Sequence, residues 1–174
     1  MIFEHVDGGL RLNIDEHSRE VVVHLFGELR NEVVGAKESP YNELPPHMKR
    51  LFPTAYHADE KRNEEYRRLT HTDLADAHLA VIDDAVTLLA PGRTFGAAEL
   101  ERFVRALNAM RLVLGTVLDV SEDDVESDDA DAGEVDSGDA DANEADSDDP
   151  TVMQRQVYDY LGWLLHTSLD QLRA

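Results

Sequence analysis

Cysteine is missing from this 174-residue chain. Its absence excludes disulfides, thiolate nucleophiles, cysteine-zinc sites and any cysteine-based redox switch. Long apolar runs are missing as well, and no stretch approaches the ~20 residues that span a bilayer. The first residues, MIFEHVDGG, carry neither a basic segment nor an apolar one. No secretion signal is therefore expected, and a cytoplasmic location is. Positive charge is scarce: 16 Lys and Arg face 37 Asp and Glu, for a net charge of −21. That balance opposes broad, non-specific DNA binding, which needs a basic footprint. Serine-nucleophile motifs, Gly-rich phosphate loops and HExxH are absent too, so acyl, phosphoryl and zinc-hydrolytic chemistry lack sequence support.

The negative charge is concentrated. Residues 121–150 hold fifteen acids and no Lys or Arg, and Val125 and Val135 are their only large apolar side chains. Such a segment cannot bury enough surface to offset chain entropy, so disorder is expected. It contains a tandem decapeptide, DADAGEVDSG (129–138) followed by DADANEADSD (139–148), which reads as a low-complexity expansion. Without the tract, 22 acids face 16 bases, a net −6, across about 144 residues. That length suits one domain with one core. Replacing 121–150 by a short Gly/Ser linker between Val120 and Thr151 is expected to leave the melting temperature unchanged, because no core residue is lost. A large fall would show that the tract packs.

The remaining pattern is mainly helical: a bundle of four to five helices with a short N-terminal β-hairpin. Ile2–Val6 and Leu10–Ile14 flank Asp7-Gly8-Gly9, a hairpin turn signal. Asp15 can cap a helix of about 16–34, with Val22, Leu25, Phe26, Leu29 and Val33 on one face and Gly35 at its end. Residues 36–58 carry Pro40, Pro45, Pro46 and Pro53 and read as irregular, with one helical turn in 47–52. Asp59 starts a charged helix of 60–69, in which Glu64 and Arg68 are spaced to pair. Thr70-His71-Thr72-Asp73 reads as a capping box opening a separate helix over 73–89. Leu100, Phe103, Val104, Leu107, Leu114 and Val117 form the stripe of a helix over 97–118. Thr151 can cap a last helix over 152–172. Its apolar face is broad, which suits a central position or, alternatively, a homodimer contact through this helix.

Several residues invite a functional reading. His71 and His78 lie two turns apart, but no third ligand stands at a diagnostic spacing. His78 falls on an apolar stripe, so a core histidine with one hydrogen bond is the preferred reading. Neither a metal nor a cofactor is expected. Asp139, Asp141 and Asn143 imitate the start of a calcium loop, but Glu144 stands where glycine is needed and Pro150 where glutamate is needed. Arg111 occupies an apolar position between Leu107 and Leu114, and a buried guanidinium requires a partner. Asp83, Asp84 and Asp159 are the candidates for an ion pair. Lys49, Arg50, Lys61, Arg62, Arg67 and Arg68 form the basic concentration of the chain, interspersed with acids. The helices 59–69 and 73–89 superficially imitate a helix-turn-helix, but Asp73, Asp76, Asp83 and Asp84 would repel phosphates. Ser168 has no base nearby in sequence.

Four blocks stand out as a set: RLFPTAYHADE (50–60), EEYRRLTHTDLADAHLAVI (64–82), ALNAMRLVLGTVLDVSEDD (106–124) and VYDYLGWLLHTSL (157–169). In order and spacing they resemble an actinobacterial family described as a domain of unknown function. Its members are commonly encoded beside the ClpS adaptor and cysteine-biosynthesis genes, and it includes AosR-type regulators of amino-acid and oxidative stress. The resemblance covers nearly all of 1–120 and 150–172. It implies a mainly helical, cytoplasmic, non-enzymatic regulator that acts through contacts with a sigma factor or RNA polymerase, with DNA engaged only indirectly. Arg50, Tyr56, Arg67 and Arg68 are the candidate partner contacts. The alternative it implies is an adaptor or accessory protein in ClpS-linked proteolysis, with a Clp component as partner. A metal-dependent enzyme built on His71 and His78 is a remote third reading. A cysteine trigger cannot carry over, and nothing marks Met48, Met110 or Met153 as a replacement.

Overall fold

The computed structural model describes residues 2–118 and 150–174. The acidic tract, its decapeptide repeat and the calcium-loop imitation lie outside the described residues. Strands β1 (Phe3–Val6) and β2 (Gly9–Leu12) form the expected antiparallel hairpin, with Phe3 opposite Leu12. Asp15 caps helix α1 (Glu16–Glu38) as expected, its Oδ1 accepting the Ser18 N–H at 2.9 Å. Val22, Phe26, Leu29 and Val33 bury the inner face of α1. The helix does not stop at Gly35. It runs on to Glu38, where Ser39 turns extended ahead of Pro40, a residue that disfavours helix in its predecessor.

The proline-rich connection holds a 3-10 turn (Tyr41–Glu43) and one helical turn, α2 (Pro46–Lys49). It is well anchored, because Leu44, Met48, Leu51 and Phe52 are all buried. Next comes a correction to the expected pair of helices. Residues 60–88 form one unbroken helix, α3 (Glu60–Leu88). The supposed capping box fails because neither Gly nor Pro interrupts the segment and its polar groups are satisfied within a helix. Thr70 Oγ1 donates to the Tyr66 carbonyl one turn back at 2.8 Å, a bond compatible with a helix interior. The apparent helix-turn-helix disappears with it.

A two-residue strand, β3 (Thr94–Phe95), then adds to the hairpin with Phe95 opposite Leu10. It is too short to show alternation, so the sequence pattern does not reveal it. Phe95 is buried edge-on against Phe3, with centroids 6.3 Å apart. Helix α4 (Ala97–Val117) supplies the most buried face of the fold, including Leu100, Phe103, Ala106 and Leu107. Helix α5 (Pro150–Arg173) begins two residues earlier than expected, with Pro150 in its first turn, where proline lacks only an N–H that has no helical partner. The preferred central placement of α5 is overturned. It packs mainly on α4 through Leu161, Leu164 and Leu165, and Trp163 is 48% exposed on its outer side. Tyr160 reaches the start of α1. Burial pushes its phenol up, and a hydrogen bond with Ser18 works in the other direction.

Cross-helix contacts set the directions. Lys37–Asp76 and Arg30–Asp83 ion pairs run α1 antiparallel to α3. Tyr158 meets Gly115, while Gly162 meets Arg111, so α5 is antiparallel to α4. An Arg102–Asp84 pair runs α4 antiparallel to α3 as well, so the end of α1, the first half of α3, the end of α4 and the start of α5 lie toward one end of the bundle. No helix among the described residues is long and apolar enough to cross a membrane.

Two carboxylates make the fold sensitive to acid. Hydrogen bonds from Ser18 hold Asp15 below its ordinary value of 3.8. The Arg93 guanidinium, followed by the Gly96 N–H, holds Glu99 below 4.5. A depressed folded value means that the contribution is full above the ordinary carboxylate range and is lost as pH falls through the folded one. Melting temperature is therefore expected to fall below about pH 4.5. A Glu99→Gln variant should show a shallower fall than the native chain when melting is followed by circular dichroism between pH 3 and pH 7.

Candidate functional site

Two of the basic residues singled out in the sequence, Lys49 and Arg67, meet where the proline-rich connection crosses the first half of α3. Tyr41 is the centre of the arrangement. The Arg67 guanidinium lies 3.9 Å from its ring centroid and Lys49 Nζ lies 5.5 Å from it, two cation–π contacts on one aromatic. Arg67 is held further by Glu60 at 3.1 Å and by Thr54 Oγ1 at 3.4 Å. Its side chain is only 18% exposed.

Asn63 fixes the far end of the connection. It is fully buried, and its Oδ1 accepts the N–H groups of Ala55 at 3.2 Å and Tyr56 at 3.5 Å. Nothing in the sequence marks this residue, since an asparagine in a charged helix reads as solvated. Asn63→Ala would leave two backbone donors without their acceptor, at a cost of about 1–3 kcal/mol. The expected result is a lower melting temperature together with faster amide exchange at Ala55 and Tyr56.

His71 and His78 bracket Phe52. His71 stacks on its ring at 4.6 Å and donates Nε2–H to the Ala36 carbonyl at 2.7 Å. His78 meets the ring edge-on and donates to the Leu51 carbonyl at 3.0 Å. Both imidazoles pin the connection to the helices, and His78 matches the core-histidine reading. Among the described residues no group of three His, Asp or Glu could hold a metal.

Two hollows flank this bracket. One, of about 670 Å³, is lined by Tyr41, Glu60, Glu64, Arg67, Arg68 and His71 among others. The second, of about 420 Å³, lies between α3 and α4 and is mainly apolar, with Leu74, Val81 and Leu112 in its walls and Arg50 at its rim. The four candidate contacts are thus divided. Arg67 and Arg68 line the first hollow and Arg50 the second, while Tyr56 is 44% exposed and packs edge-on against Tyr66.

Among the described residues Arg111 does not form the expected ion pair. Asp83 is bonded to Arg30, Asp84 to Arg102, and Asp159 lies near Arg155. Arg111 instead donates to Tyr158 Oη at 3.2 Å and stacks on that ring at 4.8 Å. Gly162 makes this arrangement accessible, because a Cβ there would stand 3.4 Å from the guanidinium. Ser168 Oγ donates to the Leu164 carbonyl at 2.7 Å inside the core.

These features lie on both sides of the acidic tract, and the match to a family profile extends over both. The profile of a family described as Domain of unknown function (DUF2017) matches residues 1–172. The chain belongs to the DUF2017 family. Among the described residues the match takes in the hairpin and the five α-helices of this DUF2017 fold up to residue 172, and it spans the four sequence blocks. No curated protein and no solved structure matches the chain.

Proposed function

We propose that this protein is a non-enzymatic regulator of the transcriptional response to amino-acid and oxidative stress, working through contacts with a sigma factor or RNA polymerase. The resemblance of its four blocks to AosR-type regulators supplies the partner class. The single structural observation that supports a protein contact is the rigid display of the 39–58 connection. Asn63 and His78 clamp its backbone onto α3 and His71 stacks on its Phe52 ring, while Arg50 and Tyr56 stand exposed on it and Arg68 stands exposed on the adjoining helix. A rigid loop bearing exposed aromatic and guanidinium groups suits the anchor residues of a protein interface.

The test is in-cell photo-crosslinking from position 56, with a probe at the exposed position 20 on α1 as control. Recovery of a sigma factor or polymerase subunit from position 56, and its loss in the Arg50→Glu/Arg68→Glu variant, is the expected result. Recovery of Clp components would transfer the proposal to the adaptor role in ClpS-linked proteolysis. Equal recovery from both probe positions would reject a contact at this surface.

A further inference from the structure

The 670 Å³ hollow beside Tyr41 has a charge arrangement that the helix alone does not explain. Glu64 and Arg68 stand four residues apart on α3 with the acid on the N-terminal side, the order that favours pairing on a helix. Glu101 and Arg105 have the same order and spacing on α4, and they close to 2.5 Å. Glu64 and Arg68 both line the hollow, and among the described residues neither has a hydrogen-bond or ion-pair partner. One wall thus presents an open carboxylate and an open guanidinium side by side.

The floor is fixed. Arg67 cannot turn to serve Glu64, because it is stacked on Tyr41 and bonded to Glu60. Its charge is already met, which leaves Arg68 as the open cation and Glu64 as the open anion of the hollow. Thr72 adds a hydroxyl to the lining. The volume lies within the roughly 300–1,000 Å³ of small-molecule sites.

We propose that this hollow binds a small zwitterion, with a carboxylate on Arg68 and an ammonium group on Glu64, of the size of a free amino acid or short peptide. A phosphate dianion is disfavoured, because Glu60 and Glu64 stand in the same lining. A simple cation would face both guanidinium groups. A zwitterion satisfies both open charges at once, and a planar carboxylate matches the fork of the guanidinium. The hollow is open to solvent and its charges are screened, so binding is weak, of millimolar order. The proposal is independent of the protein-contact reading, and each can fail alone.

The test uses the full chain and three probes: glycylglycine, its N-acetyl derivative without the ammonium group, and its amide without the carboxylate. Binding is followed by backbone amide NMR shifts during titration. Glycylglycine is expected to shift amides around Tyr41, Glu64 and Arg68. Each blocked analogue should bind about fivefold more weakly, as the loss of one exposed charge pair implies. Arg68→Gln should weaken glycylglycine to a similar extent, and Glu64→Gln should abolish its advantage over the N-acetyl derivative. Both substituted residues are exposed, so an unchanged melting temperature is expected to show that the variants fold. Equal binding of all three probes, shifts indifferent to Arg68→Gln, or no shift at tens of millimolar would overturn the proposal.

Discussion

Phe103→Ala is expected to lower the stability of this protein by about 3–5 kcal/mol, which in a domain near this size lowers the melting temperature by roughly 10–15 °C. Phe103 is fully buried on α4 and meets Phe26 of α1 edge-on, with centroids 6.4 Å apart. The pair joins the first helix to the fourth. Removing one ring loses its transfer free energy and leaves a cavity lined by a second ring that has lost its partner. Since a whole domain holds only about 5–15 kcal/mol, this one side chain carries a large fraction of it. Phe103→Leu keeps most of the volume and should cost less than about 1.5 kcal/mol. Urea denaturation of the two variants separates the outcomes. A loss below about 1 kcal/mol for Phe103→Ala would show that the ring is not at the centre of the core.

Gly9→Ala carries the second large effect, at about 2–4 kcal/mol destabilising. Gly9 has φ of +150°, a value that side-chain-bearing residues rarely adopt, and a Cβ there would sit 2.4 Å from the Phe95 carbonyl oxygen. The backbone of β3 cannot yield without breaking its pairing to β2. Gly27→Ala provides the contrast. Gly27 lies within α1 with nothing within 4 Å of its ideal Cβ. Alanine there should stabilise by about 0.5–1 kcal/mol through helix propensity and a less flexible unfolded chain. Opposite signs in thermal melting are expected for these two Gly→Ala changes. Equal shifts would contradict the close approach of β2 and β3.

Much of the fold was legible because it rests on local physics. The hairpin followed from Asp7-Gly8-Gly9, the start of α1 from Asp15, and the buried faces of α1 and α4 from helical spacing. Most of the departures from that local reading were decided by contacts distant in sequence. The start of the expected second helix at 70–73 has its polar groups taken up within α3 and by Ala36 of α1. β3 exists only because β2 lies alongside it. Arg111 found an aromatic phenol across the α4–α5 contact, where charge counting had favoured a carboxylate. Helix α5 has a broad apolar face, yet its partners lie on one side. At the candidate site, the basic residues were visible in the sequence. Their division between two hollows was not, because it depends on Tyr41 and Phe52 folding back across α3. Asn63, the residue that anchors the connection, gave no signal at all.

The shared end of the bundle has an electrostatic consequence. Leu118 and Pro150 are described residues at the end where α4 stops and α5 starts, and the chain between them carries sixteen carboxylates tethered by both of its ends. Both anchors stand toward the pole that also bears Tyr41, Arg67 and Arg68. The densest run of negative charge in the sequence is therefore anchored at one pole of the described fold. Cationic bodies are drawn toward that pole first, and polyanions such as duplex DNA are turned away from it. The orienting field decays over about 8 Å at physiological ionic strength, so salt sets how far from the surface the protein can select the direction of approach.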